Sequence, residues 1–203
     1  MFTIYLAIIG VLSFLVGAWI LGIRLRKKPS KENAERSSRV MHFLFFAGLG
    51  TPFFVGLFYP GLTHFDEVIG LPSLPWKPLF LILGILLAIP GLYYLGITNK
   101  LLRKLGSGAN AFRLTKQVVA EDVYKKTRNP MSLGYYLFAL AIAFASGSTL
   151  ITLGVVFGVI PAHIFFLKYF EEFELELRFG KSYLEYKKDV PFLFPNFKRT
   201  SRD

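Results

Sequence analysis

The chain has 203 residues, of which 53% are hydrophobic and only 18% are charged, and its formal net charge is +11. Soluble domains carry about 25% charged residues, so this composition argues against an ordinary soluble domain. The absence of cysteine excludes disulfide bonds and thiolate metal sites.

Uncharged apolar runs divide the chain into five predicted transmembrane helices. A run of about 18 or more apolar residues is long enough to cross a bilayer. Three runs meet this length, and a longer block, 132–167, is divided at the polar turn Ser146–Thr149. The predicted spans are 2–23, 43–63, 78–99, 132–145 and 149–170. The fourth span is short for a full crossing, so we expect it to form a tight helical hairpin with the fifth.

The first span is predicted to be retained rather than cleaved. A signal peptide has a basic region before its apolar run, whereas here Arg24, Arg26, Lys27 and Lys28 follow the run. The sequence therefore favours a transmembrane helix over residues 2–23.

The basic residues are predicted to lie on one side of the membrane. They concentrate in the predicted loops 24–42 and 100–131 and in the tail 171–203, whereas the loop after span 2 holds Asp66, Glu67 and only Lys77. The positive-inside rule places the basic side in the cytoplasm, with the N-terminus outside and the C-terminus inside. In a prokaryote this membrane is the plasma (inner) membrane. Topology and attraction to anionic headgroups explain the basic clusters, so no nucleic-acid partner is expected.

The loop before span 4 carries the first candidate site. Its "GSG" at 106–108 lacks the Gly-Lys-Ser/Thr of a phosphate loop, so we expect a turn there. Pro130 suits the first turn of a helix, which makes Asn129 the expected N-cap. Arg128 stands beside this helix N-terminus, an arrangement that suits an anion. The alternative is an interfacial arginine that reaches to lipid headgroups.

The tail carries the second candidate site. Glu171 and Glu172 follow span 5 and suit a ligand's ammonium or hydroxyl groups, or alternatively pair with nearby lysine and arginine. Gly180 is expected to interrupt the tail helix. His163, inside span 5, is expected to be a hydrogen-bonded structural residue. With no cysteine and no second histidine nearby, no metal site is expected.

These two segments together resemble the membrane methyltransferase superfamily that includes isoprenylcysteine carboxyl methyltransferases and phospholipid methyltransferases. The first resemblance is "KQVVAEDVYKKTRNPMSLG", in which an arginine and a proline open a membrane helix. The second is a run of matching positions in the tail: Glu171, Glu172, Leu175, Phe179, Gly180, Tyr183, Tyr186, Val190, Pro191 and Pro195. The resemblance covers about residues 100–197.

The resemblance implies an S-adenosylmethionine site at the cytoplasmic membrane face and a lipophilic substrate that enters from the bilayer. Carried over by position, the cofactor-binding residues are Lys116, Val118, Val119, Tyr124, Arg128, Asn129, Pro130, Glu171 and Glu172. Val118 and Val119 would contact the adenine through their backbone, and Glu171 and Glu172 would hold the ribose or the ammonium. Arg128 and Glu172 are the implied catalytic residues.

Three positions depart from the superfamily's pattern. Asn129 and Lys116 stand where histidine is common, and Ser132 replaces a commonly aromatic residue. These departures leave the substrate open among prenylated or lipid carboxylates and amines.

The predicted protein is thus an all-α integral membrane protein with one membrane domain over residues 1–203. Residues 1–98 form three N-terminal spans, and 99–203 form a methyltransferase-like core with a helical hairpin and a cytoplasmic, cofactor-binding C-terminal region. The predicted function is S-adenosylmethionine-dependent methylation of a membrane-embedded acceptor, with lipids as partners. The alternatives are a membrane reductase that uses NADPH and a non-catalytic lipid-binding or scaffold protein. The oligomeric state stays open.

Overall fold

The computed structural model describes residues 1–59, 61–106 and 114–195, and these ranges contain helices and no strand. Residues 107 and 108 of the predicted turn at 106–108 and the end of the basic tail, 196–203, lie outside the described ranges. The helices are α1 (Phe2–Lys27), α2 (Lys31–Phe58), α3 (Phe65–Ile69), α4 (Lys77–Leu105), α5 (Val123–Lys126), α6 (Pro130–Ser146), α7 (Thr149–Phe179) and α8 (Lys181–Asp189).

Four of these helices, α1, α2, α4 and α7, are long and apolar enough to cross a membrane. The apolar helix α6 has 17 residues and is shorter than the other four, as the sequence predicted for the fourth span. The prediction of an all-helical, multi-pass protein is confirmed. The count of five crossings depends on α6 and stays a prediction.

The helices extend beyond the predicted spans. The predicted loop 24–42 is wrong, because α1 continues to Lys27 and α2 already begins at Lys31. The hydroxyl of Ser30 accepts a hydrogen bond from the backbone N–H of Asn33 at 3.1 Å and caps α2. Likewise α2 ends at Phe58 rather than at residue 63, and α7 continues to Phe179. An apolar run marks the part of a helix inside the hydrocarbon and not the ends of that helix.

The α6–α7 hairpin is fixed at its tip by a buried carboxylate. Only Gly147 and Ser148 separate the two helices. Asp66 of α3 accepts hydrogen bonds from the backbone N–H groups of Thr149 at 2.9 Å and Leu150 at 2.8 Å, and from the Ser148 hydroxyl at 2.9 Å. These bonds satisfy free donors at the start of α7. Asp66 therefore acts as a helix cap, a role that its place among the loop charges did not predict.

Helices α4 and α6 pack backbone against backbone within the first two turns of α6. A Cβ atom added to Gly134 of α6 would lie 2.8 Å from Tyr94 Cβ and 2.9 Å from the Leu95 backbone nitrogen. A Cβ atom added to Gly91 of α4 would lie 2.9 Å from the Phe138 backbone nitrogen. Small residues permit this close approach of membrane helices. The contact fixes the position of α6 one turn beyond Pro130.

We expect Gly134→Ala to destabilise the protein by about 1–3 kcal/mol, because the atoms that the new methyl group meets belong to backbone and Cβ and have little freedom to move. Thermal unfolding in detergent measures the effect. Gly96→Ala in α4 is the matched control, since its Cβ would meet nothing within 4 Å. Equal unfolding temperatures for the two variants would contradict the close α4–α6 contact.

Candidate functional site

A cavity of about 330 Å³ lies between α2, α4, α6 and α7 and the segments 114–124 and 178–186. Part of its lining is apolar and comes from the membrane helices, for example Phe45, Leu95, Leu102, Tyr135 and Phe166. Another part is polar or charged and includes Thr115, Arg128, Asn129, Glu171, Glu174 and Arg178. The cavity therefore combines an apolar wall with ionisable groups.

Three π-helical segments supply residues to this cavity: Phe45–Gly50 in α2, Leu102–Gly106 at the end of α4 and Leu167–Glu171 in α7. A π-helical turn widens the helix, changes the direction of the following side chains and is frequent at functional sites. Apolar periodicity carries no simple signal for such turns, so sequence reasoning did not predict them.

Arg128 holds the tail against the base of α6. Its Nη1 donates to the backbone oxygens of Lys187 at 2.8 Å and Val190 at 2.7 Å, and its backbone N–H donates to Pro191 at 2.9 Å. Its Nη2 donates to Glu172 Oε1 at 2.6 Å. The Arg128 side chain is only 11% exposed. It therefore does not reach outward to lipid headgroups.

Asn129 occupies the N-cap position of α6 and Pro130 the first helical position, as predicted. The Asn129 side chain, however, does not accept the expected capping hydrogen bond from α6. The amide Nδ2 of Asn129 donates instead to the Phe192 backbone oxygen at 2.9 Å. Beside it, the Thr127 hydroxyl donates to Leu193 at 2.9 Å. The tail carbonyls compete for these polar side chains, and the tail is thereby fixed beside the cavity.

The two adjacent glutamates have different surroundings. Both oxygens of Glu172 are occupied, one by Arg128 and the other by Lys187 Nζ at 2.7 Å. Glu171 lines the cavity and has no hydrogen-bond partner among the described residues. Partial burial alone would lower the pKa of Lys187, but its hydrogen bonds with Glu172 and Glu176 outweigh this effect and leave that pKa raised. Lys187 is therefore a stable cationic partner for Glu172.

Residues 114–124 form one wall of the cavity. Val118, Val119 and Tyr124 line it, whereas the described lining includes neither Lys116 nor Glu172. With Arg128, Asn129, Pro130 and Glu171, seven of the nine predicted site residues thus meet at one cavity. Their roles, and those of Lys116 and Glu172, stay predictions.

Tyrosines also shape this region. The Tyr186 hydroxyl donates to the Tyr124 backbone oxygen at 2.8 Å, which fixes one end of the 114–124 wall. Burial raises the pKa of Tyr124 and of Tyr183, so both phenols keep their protons and remain donors at neutral pH.

His163 is buried among aromatic rings and also lines the cavity. Its Nδ1 lies 2.9 Å from the Tyr136 hydroxyl, and its ring centre lies 5.3 Å from that of Phe45 and 5.6 Å from that of Phe166. This matches the expectation of a hydrogen-bonded residue in span 5.

Sequence reasoning missed the contribution of α2 and of Arg178. Ser38, Met41 and His42 of α2 line the cavity, although they fall in the predicted loop. Arg178 Nη1 lies 2.9 Å from Glu174 Oε1, and the two side chains are 5% and 1% exposed. Their i,i+4 spacing in a tail with regularly spaced apolar residues was the available signal.

Two residues that line this cavity each have a buried nitrogen atom without a hydrogen-bond partner in the described part of the chain, Arg128 Nε and Arg178 Nε. A buried donor without a partner costs free energy, so such donors favour the arrival of an acceptor. Together with the Glu171 carboxylate, the cavity offers groups for both an anion and a cation.

Comparison with known proteins assigns the chain to a family. The model of the phospholipid methyltransferase family matches residues 78–182, more than half of the chain. The matched range contains all nine predicted site residues, but not α1 or α2. Comparisons with curated proteins and with solved structures gave no match. The resemblance seen in the two polar segments is confirmed, and the chain belongs to the phospholipid methyltransferase family.

Proposed function

We propose that this membrane methyltransferase uses S-adenosylmethionine to methylate a lipophilic acceptor that stays embedded in the bilayer. The observation that carries the proposal is one cavity, lined largely by residues of the family-matched region, that joins ionisable groups to the apolar walls of membrane helices. A charged, water-soluble cofactor and a lipid-anchored acceptor have to meet at such a boundary.

The polar lining fits the cofactor's groups. The Glu171 carboxylate suits the ammonium of its amino-acid part or a ribose hydroxyl. The unpartnered Nε–H group of Arg128 suits its carboxylate. The backbone of Val118 and Val119 would contact the adenine edge. Glu172, which holds Arg128 and Lys187, would act by positioning Arg128 rather than by contact with the cofactor.

The protein's part in the reaction is orientation and exclusion of water. The cofactor supplies an electrophilic methyl group on a sulfonium, so the cavity mainly has to align the acceptor with it. A carboxylate acceptor needs no base. An amine acceptor has to lose a proton, and Glu171, which lines the cavity, would accept it where the carboxylate does not hold the cofactor's ammonium.

Ligand titration tests this proposal. The purified protein in lipid nanodiscs is titrated with S-adenosylhomocysteine and, separately, with NADPH, and then assayed for transfer of labelled methyl groups from S-adenosylmethionine into extracted membrane lipids. We expect saturable binding of S-adenosylhomocysteine, no binding of NADPH and labelled lipid. Binding of NADPH alone would instead support a reductase, and binding of neither would support a non-catalytic protein.

The proposed orientation has the N-terminus outside and the C-terminus in the cytoplasm, because the basic segments then share the cytoplasmic side. Five crossings, with α6 as the fourth, produce this orientation. We expect a reporter fused after Asp203 to be accessible only from the cytoplasm, and one inserted at Ser73 to be accessible only from outside. A reporter after Asp203 that reacts from the exterior would contradict the orientation.

A further inference from the structure

A chain of polar contacts links α2, α7 and the 114–124 wall. Arg178 donates through Nη1 to Glu174 and through Nη2 to the backbone oxygen of Thr115. Glu174 in turn lies beside Ser38 of α2, where α2 packs against α7. Ser38 is itself buried. The contacts therefore run in series from Ser38 to Glu174, Arg178 and Thr115.

Such a buried ion pair is costly unless its geometry is well satisfied. The exposed pair Lys181–Glu185 has the same i,i+4 spacing in α8, but its nitrogen and oxygen lie 3.7 Å apart and its side chains are 91% and 63% exposed. Arg178 and Glu174 are almost fully buried and closer together. A planar guanidinium can bind a carboxylate and a carbonyl at the same time, which a lysine ammonium does less well.

The position of Thr115 gives these contacts a consequence for the cavity. Thr115 precedes Val118 and Val119, and all three line the cavity. Two other tethers hold the same wall: Gln117 Nε2 donates to the Leu105 backbone oxygen at 2.7 Å, and Tyr186 holds Tyr124. Among these three side-chain tethers, the contact with Arg178 is the one that leads to α2, outside the family-matched residues.

We propose that Arg178 is a positioning residue that holds the Thr115–Val119 wall closed over the cavity, with Glu174 and Ser38 fixing its guanidinium. Its effect on cofactor binding rests on the proposed function, whereas its hold on the wall does not. Through this chain of contacts, α2 takes part in shaping the binding site.

Hydrogen exchange and ligand binding test the proposal together. Arg178→Lys keeps the charge beside Glu174 but loses the two-sided geometry. The double variant Glu174→Gln with Arg178→Gln removes the pair without leaving a buried charge unpaired. Lys181→Gln is the matched control, because it breaks an exposed pair of the same spacing.

We expect both Arg178 variants to exchange amide protons faster in 114–122, with exchange in α8 unchanged. The affinity for S-adenosylhomocysteine should fall roughly tenfold, as for the loss of one charge-assisted hydrogen bond. In the methyl-transfer assay the KM for the cofactor should rise more than kcat falls. Ser38→Ala should shift exchange in the same direction by less, and Lys181→Gln should change neither quantity.

Two outcomes would overturn the positioning role. In the first, folded variants keep the parent exchange rates in 114–122. In the second, exchange rises equally in α8, which would make Arg178 a general structural residue. If the parent itself fails to bind S-adenosylhomocysteine, the proposed function fails, but exchange in the ligand-free protein still decides whether Arg178 holds the wall.

Discussion

Arg128→Ala is expected to release the tail from the base of α6 and to remove most cofactor affinity. Arg128 makes three side-chain hydrogen bonds from an almost buried position, two to tail carbonyls and one to Glu172. Breaking a buried ion pair by removing one partner costs about 3–5 kcal/mol, a large part of the 5–15 kcal/mol typical of a folded protein. From sequence alone, an arginine beside a helix N-terminus is expected only to bind an anion. The hydrogen bonds that Arg128 makes to the tail add a structural role.

Two measurements check this expectation: thermal unfolding and calorimetric titration with S-adenosylhomocysteine. Arg128→Lys is the graded comparison, because one ammonium cannot reach Glu172 and the oxygens of Lys187 and Val190 in the same fork geometry. We expect it to lie between the parent and Arg128→Ala. Arg39→Ala is the control, since the Arg39–Glu35 pair is exposed and worth at most about 1 kcal/mol. An Arg128→Ala protein with the parent's stability would show that the tail does not depend on this arginine.

Local sequence signals predicted the elements that depend on local rules. The apolar runs identified the membrane helices, Pro130 marked the first position of α6, and Gly180 marked the break between α7 and α8. The backbone at Gly180 has φ of +56°, a conformation that favours glycine. Such features depend on residues close in the chain, and the sequence displays them directly.

The remaining features depend on contacts between distant residues. The charged first half of α2 resembles a loop by composition, and its Ser38, Met41 and His42 reach the cavity only because α2 packs against α7. Asn129 was expected to cap α6, but the tail carbonyl of Phe192 binds its amide instead. Hydropathy and capping rules consider only residues close in the sequence, so they do not predict contacts such as that between Phe192 and Asn129. For the same reason the sequence predicts one shared role for the two adjacent glutamates.

Glu171→Gln and Glu172→Gln are expected to have different effects, although the residues are neighbours in the sequence. A π-helical segment ends at Glu171, and the two side chains leave α7 in different directions. Glu171 is directed to the cavity without a hydrogen-bond partner in the described chain, whereas Glu172 bridges Arg128 and Lys187. Glutamine keeps the size and the hydrogen-bonding ability of each side chain and removes its charge.

Glu171→Gln should lower the affinity for S-adenosylhomocysteine by about tenfold or more, because a charge-assisted hydrogen bond is worth roughly 1.5–3 kcal/mol. Its unfolding temperature should stay near that of the parent, since no described protein group loses a hydrogen bond. Calorimetric titration in nanodiscs measures the affinity. Unchanged affinity in this variant would remove Glu171 from the proposed cofactor site.

Glu172→Gln should instead mainly lower the free energy of unfolding. Arg128 and Lys187 bind different oxygens of Glu172, and in glutamine one of these two oxygens becomes an NH₂ group, which cannot accept and would face a cationic donor. We expect a loss of roughly 1.5–3 kcal/mol in unfolding free energy, the worth of a hydrogen bond to a charged group. Because Arg128 then loses its anchor, affinity should fall along with stability. Lys187→Met should reproduce part of this loss. A Glu172→Gln protein that is as stable as the parent but binds S-adenosylhomocysteine more weakly would reverse the assignment, and would make Glu172 the residue that contacts the cofactor.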